Sequence, residues 1–159
     1  MRKYILFVVI FGIFVNFNVN AFMVSFFILE TGLPQNDRNN PHSITWENSL
    51  MDVFFEAGHI VSNAPILRLD SKPQGDIFQS ISFNLTQARN MGIDYVMIAQ
   101  LNFDNDSQIP TSVSFLIYRV NTREKLLDNK VQVNSYRSSR EESDDIKSII
   151  RGLLPYFNN

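Results

Sequence analysis

Apolar and polar positions run along this chain in blocks whose periods indicate the elements. Phe22 to Thr31 (FMVSFFILET) is almost continuously apolar and stops at Gly32-Leu33-Pro34, the pattern of a central strand covered on both faces. Gln35 to His42 (QNDRNNPH) is polar and contains Pro41, so it reads as an exposed loop. From Ser43 or Thr45 to Ala57 the spacing predicts a helix. Trp46, Leu50, Val53, Phe54 and Ala57 fall at i, i+4, i+7, i+8 and i+11 on one stripe. Gly58 is placed to take the left-handed position that ends it.

Ile60 to Asp70, with Asn63 and Pro65, reads as a loop leading to a short strand near Ile66–Leu69, and Ser71–Gly75 as a turn. Asp76 and Gln79 have capping-box spacing for a second helix, with Ile77, Ile81, Leu85, Ala88 and Met91 as its buried stripe. That helix turns on Gly92 and enters an apolar strand, Ile93–Phe103, within three residues. So tight a helix-to-strand junction marks a layered α/β domain, with Asp94 shaping the turn. Ser112–Val120 and Lys125–Asn134 flank Asn121–Glu124 as a β-hairpin. Ser138 and Ser139 each stand three residues before a glutamate, Glu141 and Glu142, giving the last helix two possible capping boxes and an acidic first turn. Ile146, Ile149, Ile150, Leu153 and Leu154 form its apolar face. The expectation is one domain over residues 22–159, an α/β (α+β) two-layer sandwich. It would hold a mixed sheet of about five strands with three helices, in the order β-α-β-α-β-β-β-α.

The N-terminus reads as an export signal. Met1-Arg2-Lys3 is a short basic region, Tyr4–Val15 an uncharged apolar run, and Val19-Asn20-Ala21 presents compact residues where a signal peptidase reads them. The 12-residue run spans about 18 Å as a helix, well short of a hydrocarbon core of about 30 Å. Residues 1–21 are therefore expected to be a secretory signal peptide cleaved after Ala21. The alternative is an uncleaved inner-membrane anchor continuing to Leu29, which would bury Asn16, Asn18, Asn20 and Ser25 in lipid at a cost.

Composition narrows the chemistry. The formal charge of −2 becomes −4 without Arg2 and Lys3, so there is no electrostatic case for nucleic acid or an anionic membrane. The chain has no cysteine, which excludes disulfides, thiol catalysis, thiolate metal sites and a lipidated N-terminal cysteine. A core must hold the domain, and 14 Phe within 45% apolar residues can supply one.

No constellation of reactive residues emerges. His42 and His59 are the only histidines, and neither has a ligand-spaced partner, so surface or capping roles fit them. Asp104-Asn105-Asp106-Ser107-Gln108 begins like a calcium loop, but Ile109 stands where glycine is needed and Phe115 where the bidentate glutamate belongs. A turn held by its own Asx side chains is the better reading. Asp52 and Glu56 at i, i+4, with Glu47 nearby, read as a solvated helix face, and Asp144 and Asp145 as helix-start charges. There is no Gly-x-Ser-x-Gly elbow, Ser-x-x-Lys set or glycine-rich phosphate loop. Phe26, Phe27, Phe54, Phe55, Phe83, Tyr95 and Phe115 are expected in core packing. We therefore assign no catalytic, cofactor-binding or metal-ligating residue and no cofactor.

Three segments together resemble an α/β domain of exported bacterial proteins, the family of the TolB N-terminal domain, CsgG and LpoB-type proteins. They are the opening strand Val24–Leu29, the helix Trp46–Ala57 ending at Gly58, and above all Ala88-Arg-Asn-Met-Gly-Ile-Asp-Tyr-Val-Met-Ile-Ala-Gln-Leu101. Tyr118-Arg119-Val120 also fits that family's strand pair, and coverage is about residues 22–157. The chain departs from it in lacking a propeller, long pore-forming hairpins and a lipidated cysteine. The resemblance implies a binding or assembly role in the cell envelope, through protein–protein contacts at a sheet edge or at Gln35–His42. It implies no catalytic residues. The opposing expectation is a periplasmic enzyme whose site gathers two or more of His42, His59, Glu47, Asp52 and Asp104.

Overall fold

A computed structural model describes residues 21–34, 40–69, 77–104 and 107–157. The segment before Ala21 read as a signal, residues 35–39, the segment read as a Ser71–Gly75 turn with an Asp76 cap, and Asn105 and Asp106 lie outside the described residues. The elements are β1 (Met23–Thr31), α1 (Pro41–Glu56), β2 (Ile60–Asn63), β3 (Leu67–Leu69), α2 (Ile77–Ser80), α3 (Leu85–Asn90), β4 (Tyr95–Asn102), β5 (Ser112–Arg119), β6 (Glu124–Gln132) and α4 (Ser139–Arg151). A 3₁₀ turn, Leu154–Phe157, follows α4.

The sheet is mixed and open, in the order β2-β1-β4-β5-β6, with β3 also paired to β1. β1 runs parallel to β2, β3 and β4, whereas β4–β5 and β5–β6 are antiparallel. β2 and β3 occupy one edge of β1 in succession, opposite Met23–Phe26 and Leu29–Thr31 respectively. The strand alternation explains how one apolar run serves two faces. Val24, Phe26 and Ile28 join Met97, Ala99, Leu101, Val113, Phe115 and Ile117 beneath α1 and α4. Phe27 and Leu29 join Val96 and Ile98 on the other face, covered by Ile77, Phe78, Ile81 and Ala88 of the α2–α3 segment.

α1 presents Trp46, Leu50, Val53 and Phe54 to the sheet as its spacing predicts, each side chain contributing about 1.5–3 kcal/mol by burial. It packs parallel to α4 through a ladder of pairs: His42–Glu142, Asp52–Lys147 and Glu56–Arg151. Gly58 and Gly92 take positive φ (83° and 76°), as the turns they close require.

Six details differ from the sequence reading. α1 starts at Pro41, not Ser43 or Thr45, because Asn40 caps it and Pro41 fits the first turn, where its missing N–H is no loss. His42 is accordingly in a helix and not in a loop. Ile60–Asn63, read as loop, is a strand, because its backbone is captured by Met23–Phe26 despite weak local signals. The second helix is broken into α2 and α3: Ser82 adopts φ 51° and Asn84 starts a new helix by accepting the Thr86 and Gln87 N–H groups. That break turns Met91 out of the expected stripe into solvent, 61% exposed. Phe55 is likewise no core residue, being 73% exposed on the outer side of α1. Of the two caps offered for α4, Ser138 is used, accepting from the Glu141 N–H.

Candidate functional site

The carboxyl ends of the parallel strands gather most of the buried polar groups. β1 is the switch point of the sheet, since the chain leaves it for β2 on one side and later returns to β4 on the other. Such a point is where open α/β sheets present a crevice. Here the crevice is filled by side chains bound to one another. Glu30, at the end of β1, is 1% exposed. Its Oε2 accepts from Arg68 Nε of β3 (2.7 Å), Arg68 Nη2 lies on the same oxygen, and its Oε1 accepts from the Asn40 N–H (3.1 Å). The carboxylate therefore faces the N-terminus of α1, whose dipole favours negative charge. Asn40 also accepts from the His42 N–H (2.8 Å) and donates through Nδ2 to the Gln108 carbonyl (2.9 Å). One residue, through its backbone N–H and its side chain, thus joins β1, α1 and the β4–β5 connection.

Beside it, Thr31 Oγ1 donates to Asn102 Oδ1 (3.1 Å), which also accepts from Gln100 Nε2 (3.1 Å). Asn102 Nδ2 reaches the Gln100 and Ser112 carbonyls, both at 3.3 Å. Gly32 follows at φ 91°, where a Cβ would stand 2.1 Å from the Phe103 carbonyl oxygen. Glycine is required there both for its φ and for this close approach. Each side chain named here is bonded within the protein, so among the described residues this cluster closes the end of the sheet.

The proposed acid–base residues are dispersed. His42 Nδ1 lies 2.6 Å from Glu142 Oε1, a buried carboxylate on α4. Among the described residues no nucleophile is hydrogen-bonded to the other ring nitrogen. His59 lies at the opposite end of the domain, stacked on Phe22 at a centroid distance of 3.6 Å, and burial lowers its pKa. Glu47 accepts from Asn63 Nδ2 (2.7 Å), Asp52 from Lys147 (2.7 Å), and Asp104 is exposed. The structure does not bring two of these five residues together. A cavity of about 290 Å³ opens elsewhere, lined by Phe78, Phe83, Asn84, Leu85, Thr86 and Arg123, none of them among the five. No group of three or more His, Cys, Asp or Glu among the described residues could hold a metal ion.

Asp94, read as shaping a turn, instead joins strands. Its Oδ2 accepts from the Met23 N–H (2.8 Å), its N–H donates to the Met23 carbonyl (2.9 Å), and its carbonyl accepts from Val120 (2.9 Å). Tyr136 donates to Asp145 Oδ2 (2.8 Å), holding the approach to α4, and burial with this bond raises its pKa. Asp145, the seventh residue of α4 and not one of its first-turn acids Glu141 and Glu142, is therefore a tether and not a helix-start charge. A feature open to an outside group is the β6 edge of the sheet, the opposite edge being formed by β2 and β3. Among the described residues β6 pairs only with β5, and most of its side chains are exposed.

Comparison with known proteins agrees with this architecture. A family model described as "Uncharacterised protein" matches residues 27–142. No curated protein sequence matches. Among solved structures, TolB from Acinetobacter baumannii is similar at TM-score 0.50 and 17% identity, covering 85% of this chain and 28% of that one. The chain thus spans under a third of TolB's length. The PelC dodecamer from Paraburkholderia phytofirmans gives TM-score 0.49 at 12% identity, covering 82% of this chain and 86% of that one. The LpoB C-terminal domain from Salmonella enterica gives 0.40 at 15%, covering 79% and 93%. At these identities the likeness to TolB speaks for the fold alone, and the fold is the one the Ala88–Leu101 segment suggested.

Proposed function

The chain belongs to the family described as "Uncharacterised protein", and from that premise we propose that it is an exported, non-enzymatic module that docks on another protein of the cell envelope. Residues 1–21 act as a secretory signal cleaved after Ala21, and residues 22–159 form the exported domain. The observation that carries the reading is the free edge of β6. A strand with one unpaired side offers main-chain donors and acceptors to an incoming segment. Its alternating charges, Lys125, Asp128 and Lys130, keep like copies from pairing while leaving the edge open to a complementary partner. The dispersal of His42, His59, Glu47, Asp52 and Asp104 supports a binding role over a catalytic one. The fold it shares with part of TolB is compatible with protein docking, which rests here on β6 itself.

The absence of native cysteine makes the test simple. Asp128→Cys, carrying a photo-crosslinker, is exposed to envelope extract beside an equally labelled Ser148→Cys on α4. Recovery of a specific protein adduct from the β6 position alone supports the reading. Equal adducts from both positions, or none from folded protein, refute it.

A further inference from the structure

In an antiparallel sheet each residue turns its N–H and its C=O to the same neighbour, and successive residues alternate between the two sides. Two bonds at the ends of β5 fix that alternation here. The Val120 N–H, just past β5, donates to the Asp94 carbonyl before β4 (2.9 Å). At the other end the Thr111 carbonyl accepts from the Val133 N–H, just past β6 (3.1 Å). Even-numbered residues of β5 therefore turn to β4, and Val113, Phe115 and Ile117 turn to β6. Their partners in register are Val131, Asn129 and Leu127. Those three bond inward, which leaves the N–H and C=O groups of Asp128, Lys130 and Gln132 directed away from the sheet. The irregularity between Ile117 and Tyr118 interrupts the pattern toward Leu126, so the regular edge is Leu127–Gln132.

The side chains divide by the same parity. Leu127 and Val131 lie with Ile117 and Val113 on the face that α1 and α4 cover, partly buried against that core. Asp128, Lys130 and Gln132 stand on the opposite face, in register with Leu116, Ser114 and Ser112, and are exposed. Asp128 already holds Lys125 Nζ at 2.7 Å. Among the described residues no carboxylate is paired with Lys130.

We propose that β6 accepts an extended segment of alternating character, with an acidic residue opposite Lys130. Its residues opposite Asp128, Lys130 and Gln132 are polar. Those between them are apolar and extend the row of Leu127 and Val131. The inference rests on the docking reading of β6 and adds the class of segment that the edge takes. Three N–H donors and three carbonyl acceptors hold the main chain of that segment. A slip of one residue turns its apolar side chains toward Lys130 and away from Leu127 and Val131, so the pattern also sets the register. The cross-strand charge pair favours binding by about two- to fivefold over a neutral one.

Amide hydrogen exchange followed by NMR reads this edge residue by residue. In the free protein the Asp128, Lys130 and Gln132 amides are expected to exchange about tenfold or more faster than those of Asn129, Val131 and Val133. The probes are two short capped peptides that alternate valine and threonine, one with a central glutamate and the other with lysine in its place. The glutamate peptide is expected to slow the three edge amides and to bind several-fold more tightly than the lysine peptide. Lys130→Glu is expected to reverse that preference. The opposite parity of exchange, protection by neither peptide, or equal affinity for both in parent and variant overturns the proposal. So does protection of the three amides that grows with protein concentration in the absence of peptide, which assigns the edge to a second copy of the chain. A specific crosslink at position 128 alongside any of these results retains docking at β6 and removes the segment class alone, so the two readings fail separately.

Discussion

Arg68→Met tests the view that the crevice at the end of β1 is closed by a committed ion pair. The substitution removes two guanidinium contacts from Glu30 Oε2 and leaves a carboxylate that is 1% exposed with, among the described residues, the Asn40 N–H as its remaining donor. Breaking a buried pair from one side costs about 3–5 kcal/mol, because the desolvated charge stays behind. Replacing both partners is a different perturbation. In Glu30→Gln/Arg68→Met the amide oxygen still accepts from Asn40 and no buried charge remains, so the cost falls to about 1 kcal/mol. The double variant is therefore expected to be more stable than the single one. Urea unfolding followed by the fluorescence of Trp46, the sole and fully buried tryptophan, reads both. The separation corresponds to a difference in melting temperature on the order of 10 °C for a domain of this size. Equal destabilisation of the two variants, or a single variant within about 1 kcal/mol of the parent, would refute the reasoning.

Other substitutions test neighbouring claims. Gly32→Ala is expected to cost several times more than Gly92→Ala in the same unfolding assay. Both sites have positive φ, worth about 1–2 kcal/mol against alanine, but only at Gly32 does a Cβ meet backbone, whereas nothing lies within 4 Å at Gly92. Asn84→Ala, which leaves the Thr86 and Gln87 N–H groups without their acceptor, costs about 1 kcal/mol if α3 is a separately capped helix. No loss would mean that α2 and α3 are one helix in solution. Burial holds the His59 pKa below its ordinary 6.5. The unfolded chain therefore takes up a proton that the folded one resists, and stability falls as pH drops from 6.5 toward the folded value. His59→Phe keeps a ring on Phe22 and removes that proton. Its loss of stability between pH 7 and about pH 5 should be smaller than the parent's, and parallel losses would refute the assignment.

Sequence periodicity was enough wherever one element's own residues carried the signal. The i, i+4, i+7, i+8 spacing from Trp46 to Phe54 specified both a helix and its buried face. The continuous run from Met23 to Thr31 specified a strand covered on two sides. Gly58 and Gly92 were legible because positive φ is a local requirement. The fold class and the resemblance through Ala88–Leu101 followed from such local patterns. Ile60–Asn63 was illegible for the opposite reason: what makes it a strand is the vacant edge of β1, some 37 positions earlier in register with Met23. The break at Ser82 and the start at Asn40 depended on side-chain bonds that compete with helix continuation, and a stripe count passes over them.

The polar end of the sheet shows the same division. Glu30, Arg68, Asn40, Thr31 and Asn102 were not singled out, because their spacing in sequence carries no motif. Only strand order places them at one switch point, and only burial turns an ordinary Glu and Arg into a committed pair. Met91 and Phe55 make the point in reverse: the spacing of Met91 and the aromatic character of Phe55 suited a core, and tertiary packing left both in water. The amino-acid order alone determined most element types and the lack of thiol chemistry, since each is a property of the residues themselves or of close neighbours. Which edges stay open, which charges meet and which apolar groups remain uncovered were decided by the three-dimensional arrangement, because each depends on residues that only folding brings into contact.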